Sequence, residues 1–244
     1  MRGLFTYTYA FSYLFRSIPE LRKVKKLPAD MPAKEKDEAI FAMPKHWARG
    51  VVRQSGSTVR VINEDRMPEG PALLVANHQG NFDILALLGH LQKPFGFISK
   101  IEMEKWPVVK GWMNAIHSVF IDRTDKRQAV RALNGAIDNL KNGHSMLIFP
   151  EGTRSKSSDL LPFKPGSFRL AVKAGVPIVP VAIDGSYKVM EQNDGKIKPA
   201  DIYLNVCHPI NPSEYADRKL PELSAEAESK IKEAIDELKV IQEN

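Results

Sequence analysis

Between residues 59 and 207 the chain alternates short apolar runs of strand length with stretches of helical spacing. Few folds accept that pattern. Val59–Ile62, Ala72–Ala76, Phe95–Ile98, Val119–Ile121, Met146–Phe149 and Ile178–Ile183 are apolar runs, and Ile202–Cys207 alternates like a strand. Between several of them the period lengthens. Val130, Leu133, Ala136, Ile137 and Leu140 recur every three or four residues, with Thr124 or Asp125 placed to cap the start and Gly143 at the exit. Phe168–Ala174 reads as a shorter helix closed by Gly175, and Lys230–Ile241 as another, through Ile231, Ile235 and Leu238. Strands apolar along their whole length need cover on both faces, and helices between them supply it. The expected class is α/β, a largely parallel mixed sheet flanked by helices. Val176-Pro177-Ile178-Val179-Pro180-Val181 is awkward inside such a sheet, because neither proline can donate to a ladder. It is expected at an edge or where the chain lines a site.

The first fifty-six residues follow another pattern. Prolines at 28, 32 and 44 divide them, predicting two helices with a joint near 28–32. Residues 1–56 are therefore expected as a helical, membrane-binding segment and 57–244 as the α/β domain. Residues 1–30 hold six basic side chains (Arg2, Arg16, Arg22, Lys23, Lys25, Lys26) against Glu20 and Asp30, beside an aromatic run from Leu4 to Phe15. Basic residues interleaved with Tyr and Phe suit the boundary between water and acyl chains. As a helix, residues 4–15 would be roughly 18 Å long at ~1.5 Å per residue, too short to span a bilayer. No small-x-small cleavage site follows, so a secretory signal is not expected. The preferred reading is an in-plane anchor, with docking of the aromatics on the chain's own core as the alternative.

Composition narrows the partners. With 244 residues, 43% of them hydrophobic, the chain can bury a substantial core, and its net charge of +6 favours anionic ligands. Recognition motifs for nucleic acid are lacking, so no nucleic-acid partner is expected. The single cysteine, Cys207, excludes an internal disulfide and a cysteine-based metal cluster, and no metal is expected at the site. In a strand its side chain and that of His208 point to opposite faces, which argues for a buried, inert thiol rather than a dyad.

Chemistry enters at Asn77-His78-Gln79-Gly80-Asn81-Phe82-Asp83. His78 follows an apolar strand and precedes an apolar helix. On one continuous helix, His78 and Asp83 would stand about 140° apart and never meet. A turn through Gly80 removes that obstacle, letting Asp83 in the first helical turn reach one imidazole nitrogen and leave the other to accept a proton. Taken alone, the pair reads better as Asp83 or Asn81 capping the helix beside an ordinary loop histidine, and the rest of the chain changes that balance. A second strand ends in Phe149-Pro150-Glu151-Gly152-Thr153-Arg154-Ser155, where Gly152, Thr153 and Arg154 offer a close backbone, a hydroxyl and a planar fork for phosphate oxygens. Glu151 would repel a phosphate, and is expected to hold an arginine or accept from a substrate hydroxyl. A third strand ends in Phe120-Ile121-Asp122-Arg123. In a parallel sheet His78, Arg123 and Arg154 emerge at one edge, where open α/β folds bind ligands.

These blocks in this order resemble the lysophosphatidic acid acyltransferases, within the wider glycerolipid acyltransferase family. The resemblance covers roughly residues 70–190. It rests on Asn77-His78-x4-Asp83, Val119 to Arg123, Phe149 to Ser155 and Val176 to Val181, with Ser99-Lys100-Ile101-Glu102 and Trp106-Pro107 resembling a lysine-containing stretch between the first two. Gln79 and Asn81 fill variable positions. The resemblance implies acyl transfer from a thioester of acyl-carrier protein or coenzyme A to the sn-2 hydroxyl of lysophosphatidic acid, giving phosphatidic acid, with no cofactor. It implies His78 as general base, Asp83 as its orienting carboxylate, and Arg123, Glu151, Gly152, Thr153 and Arg154 as substrate-binding residues, with Lys100 and Lys105 behind them. Amides near Gly80 or Gly152 are candidates for the oxyanion. The expected location is the cytoplasmic face of the cell membrane, peripheral or monotopic. Another acceptor, such as glycerol 3-phosphate or a lyso-aminolipid, is the nearer alternative, and a non-catalytic lipid binder the farther one. No G-x-S-x-G elbow supports a hydrolase.

Overall fold

The structure is a computed structural model that describes residues 2–122 and 124–243. Three helices come first: α1 (Arg2–Arg16), α2 (Ile18–Val24) and α3 (Ala33–Ser55). Then follow β1 (Thr58–Ile62), β2 (Leu73–Ala76), α4 (Phe82–His90), β3 (Gly96–Lys100), α5 (Pro107–Ala115), β4 (Val119–Ile121) and α6 (Lys126–Lys141). The chain ends with β5 (Met146–Ile148), α7 (Arg169–Ala174), β6 (Ile178–Asp184), β7 (Asp201–Val206), α8 (Pro212–Tyr215) and α9 (Leu220–Glu243).

The strands form one sheet in the order β1-β7-β6-β2-β5-β3-β4. All neighbours are parallel except β6 and β7, so the α/β expectation of a largely parallel mixed sheet holds. Side chains alternate across it. Leu74, Ala76, Leu147 and Val179 join one core beneath α3 and α4, whereas Leu73, Val75, Met146 and Ile178 join another beneath α6, α7 and α9. The α6 cap is Asp125, whose carboxylate accepts the Arg127 and Gln128 N–H groups at 2.8 and 3.0 Å. The last helix starts ten residues before its apolar period becomes obvious in the sequence.

Two proline expectations need correcting. Pro44 does not divide the N-terminal region but sits buried inside α3. A break at Ser17, ahead of Pro19 in the first turn of α2, makes the third helix where two were expected, while the joint near 28–32 separates α2 from α3. Of the two places expected for the proline-rich strand the sheet edge is excluded, since β6 lies between β2 and β7. Its C-terminal end does run into the site, where Ile183 and Asp184 bond Asn77 and Gln79. The backbone explains how the interior position is tolerated. Pro177 offers only its carbonyl, to Leu73 N–H at 2.9 Å, and Pro180 its carbonyl to Cys207 N–H at 2.9 Å. Beyond Val181↔Val206 the β6–β7 register slips by one residue to the bridge Ile178↔Ile210, and Pro180 occupies that slip. A missing donor is tolerated at such a bulge.

Residues 2–55 contribute to the same core as the sheet, through Leu21, Val24, Ile40, Phe41, Ala48 and Val52. The aromatic run of α1 divides by face. Tyr9 presses so closely on Gly50 that a Cβ there would fall 1.9 Å from its hydroxyl, and Tyr13 stacks on His46. Leu4, Phe5, Phe11 and Phe15 form an outward stripe, with Phe15 67% exposed. No helix among the described residues is long and apolar enough to cross a membrane.

Candidate active site

The C-terminal ends of β2, β5 and β6 meet at one edge of the sheet. After Ala76 the chain leaves β2, and Asn77 ties the exit to β6: its amide donates to Ile183 carbonyl at 2.9 Å and accepts the Ile183 N–H at 2.7 Å. Gln79 is fully buried and donates to Asp184 at 3.1 Å. Its residue type reads as variable in the sequence, yet it anchors the turn. Gly80 acts through close approach rather than unusual dihedral angles, because a Cβ there would meet Glu191 Oε2 at 2.4 Å.

This turn delivers Asp83 to His78. The carboxylate, fully buried in the first turn of α4, lies 2.6 Å from the imidazole Nδ1. The same oxygen accepts the Gly80 N–H at 2.9 Å, and the other accepts the Ser186 hydroxyl. With an acceptor facing Nδ1, the proton belongs there, and Nε2 keeps its lone pair. Among the described residues none is bonded to Nε2. Phe149 stacks on the ring at 4.0 Å and 14° from parallel, which fixes the imidazole plane. Ser186 lies beyond the fourth block and carries no local pattern that would mark it in the sequence.

Among the described residues Glu151 pairs with no arginine. Its Oε1 accepts the His78 N–H at 2.8 Å, so it fixes the backbone of the base itself. Burial pushes this carboxyl up to about 7, against the stabilising N–H groups of His78 and Leu161 and with the Asp83 charge adding to the rise. Its second oxygen is buried and has no hydrogen-bond partner among the described residues. The following loop is zipped to the His78 turn, with Ser155 N–H donating to His78 carbonyl at 2.8 Å and Lys156 N–H to Gln79 carbonyl at 3.1 Å.

Arg154 is brought to the turn. Its Nη1 donates to Asn81 Oδ1 at 2.6 Å and to Glu191 Oε1 at 3.1 Å, and Glu191 also accepts the Asn81 N–H at 2.9 Å. Thus Asn81 and Glu191, neither weighted in the sequence, orient this guanidinium. Gly152 takes a left-handed φ of 73°, and a Cβ on it would meet Lys164 Nζ at 2.4 Å, which adds an unforeseen cation to the loop. Thr153 is exposed beside it. Lys100 closes β3 opposite Ile121, at the same sheet edge, and Lys105 is exposed in the 3-10 turn after it. Neither is bonded to His78, Asp83 or Arg154 among the described contacts. Arg123 lies outside the described residues. Cys207 is buried, with its thiol pushed up to about 12 by desolvation, as an inert thiol requires.

Residues 58–184, a little over half of the chain, match the family model described as Acyltransferase. The chain belongs to the acyltransferase family. Among its relatives, a 1-acyl-sn-glycerol-3-phosphate acyltransferase of Chlamydomonas reinhardtii is 37% identical over 66% of this chain and 49% of its own length. A probable enzyme of the same description from Mycoplasma genitalium is 35% identical over 70% of this chain and 64% of its own length. The match therefore spans about half to under two-thirds of these relatives. The crystal structure of the 1-acyl-sn-glycerophosphate (LPA) acyltransferase PlsC from Thermotoga maritima superposes with a TM-score of 0.83 at 29% identity. It covers 98% of this chain and 96% of that one, so this acyltransferase-family fold extends over the N-terminal helices as well as the sheet.

Proposed function

We propose that this chain transfers a fatty acyl group from a thioester to the sn-2 hydroxyl of 1-acyl-glycerol 3-phosphate, giving phosphatidic acid. The observation that carries the reading is His78 held at Nδ1 by a fully buried Asp83, with Nε2 unbonded among the described residues. The names of the relatives supply the acceptor. His78 Nε2 takes the hydroxyl proton as the oxygen attacks the thioester carbonyl, and Asp83 stabilises the imidazolium that forms. The tetrahedral intermediate then collapses, and the thiolate of acyl-carrier protein or coenzyme A leaves with the proton returned from His78. No enzyme nucleophile takes part. Arg154, steadied by Asn81 and Glu191, directs its remaining N–H groups at the acceptor phosphate, with Lys164, Thr153 and the Gly152 backbone beside it. Arg123, Lys100 and Lys105 complete the proposed cationic surround.

The outward stripe of α1 supports a lipid-facing location. Phe11 lies 6.2 Å from Trp106, itself 55% exposed, so the apolar patch continues onto the segment after β3. It also reaches the site, because Tyr7 contacts Met190, next to Glu191, with the hydroxyl 4.0 Å from the sulfur. In this reading α1 lies in the cytoplasmic face of the membrane without crossing it. The test is purified protein with lysophosphatidate, glycerol 3-phosphate and a lyso-aminolipid, each offered with both carriers. Phosphatidic acid formed by the wild type and not by His78→Ala is the expected result; turnover of another acceptor alone would overturn the reading.

A further inference from the structure

The opposite edge of the sheet carries a second cluster that the proposed chemistry does not use. His117 precedes β4 and His144 precedes β5, so both stand at the N-terminal ends of parallel strands, away from His78. Asp37 reaches them from the second turn of α3. Its Oδ1 lies 3.2 Å from His117 Nε2, and its Oδ2 lies 2.8 Å from His144 Nδ1. The three donor atoms all fall within 4.8 Å of one another.

Several features show that these groups are held in place. His117 adopts φ of 60°, a left-handed conformation that is strained for a residue with a β-carbon. Asn139 donates to its carbonyl at 2.7 Å, and Gly96 makes room for it, since a Cβ there would meet that carbonyl oxygen at 2.6 Å. His117 Nε2 and Asp37 Oδ1 are both buried and face each other without hydrogen-bond alignment. Their separation instead fits one edge of a tetrahedron about an ion with bonds of ~2.0–2.1 Å, an edge of roughly 3.3 Å. Beside them is a cavity of about 10 Å³, bordered by Phe41, Phe95 and Ile116, with space for about one water-sized occupant.

We propose that Asp37, His117 and His144 form a site for one borderline divalent cation, with zinc the best match. Two imidazoles and a carboxylate are a ligand set zinc favours, with a water as the fourth ligand. The two rings stack at 3.6 Å and 16° from parallel, so their in-plane lone pairs converge only after one ring turns. The adjoining cavity gives that ring somewhere to move. The bound ion joins α3 to the starts of β4 and β5, and so braces the N-terminal helices against the sheet. It stands at the far edge from His78 and takes no part in proton transfer.

The test uses untagged full-length protein, stripped with chelator and titrated with Zn²⁺ by calorimetry and with Co²⁺ by visible absorption. One ion per chain is expected, with tetrahedral Co²⁺ bands and a Tm raised by several degrees. Asp37→Ala and His144→Ala should each weaken Zn²⁺ binding at least tenfold, while His208→Ala on the exposed surface leaves it unchanged. Weak or multiple binding by the wild type, or wild-type Co²⁺ spectra of an octahedral aquo ion, overturns the proposal whether or not the variants fold. Equal affinity in the folded Asp37 and His144 variants overturns it as well.

Discussion

Glu151 offers the sharpest quantitative test of the site. Its carboxyl is 3% exposed, and burial lifts it from an ordinary value of 4.5 to about 7. The folded state therefore binds this proton more tightly than the unfolded chain does. The resulting stabilisation is fully present below pH 4.5 and is lost as pH rises through about 7. The gap between those two values is worth about 3 kcal/mol at ~1.4 kcal/mol per pH unit. Glu151→Gln keeps an oxygen acceptor for the His78 N–H and removes the titration. Relative to wild type, the glutamine variant should therefore gain about 3 kcal/mol of stability between pH 4.5 and pH 8. Urea unfolding of both proteins across that range, read by circular dichroism at matched ionic strength, measures it. A difference that stays constant within about 0.5 kcal/mol at every pH would refute the argument, because it would mean that this carboxyl ionises as easily when buried as in water.

His78→Ala should lower kcat by about 10²–10⁴-fold with Tm and circular dichroism near wild type, since the ring is not part of either core. Asp83→Asn should bring a loss of similar order in kcat, and also a lower Tm, because the buried amide then faces the Gly80 and Ser186 donors with one oxygen instead of two. Arg154→Ala should raise the KM for lysophosphatidate by about 10–100-fold, the worth of a charge-assisted hydrogen bond, and leave the KM for the acyl donor nearly unchanged. Replacing Phe5, Phe11 and Phe15 by serine should reduce sedimentation with anionic liposomes while preserving Tm; unchanged sedimentation would count against the lipid-facing stripe. This triple substitution is a cleaner test than removing residues 1–27, which would also strip Leu21 and Val24 from the core.

The period of the apolar residues was enough to establish the class of this fold and the places of its strands, because a strand buried on both faces must be apolar along its length. Order along the chain was likewise enough to bring His78, Asp83 and Arg154 forward as candidates, in the segments that follow two strands, and to suggest the family that the relatives bear out. Tertiary structure decided what these residues touch. That Glu151 grips the His78 backbone, that Ser186 completes the ring of donors around Asp83, and that Glu191 steadies Arg154 all depend on contacts across 37 to 103 residues of sequence. The same is true of Asp37 meeting His117 and His144. Local spacing records only periods and turns, so a side chain that matters through a distant partner leaves no mark in it. The proline-rich strand shows the limit from the other side: its sequence forbids two donors, but only the sheet shows that the β6–β7 register slip leaves Pro180 with no donor to supply.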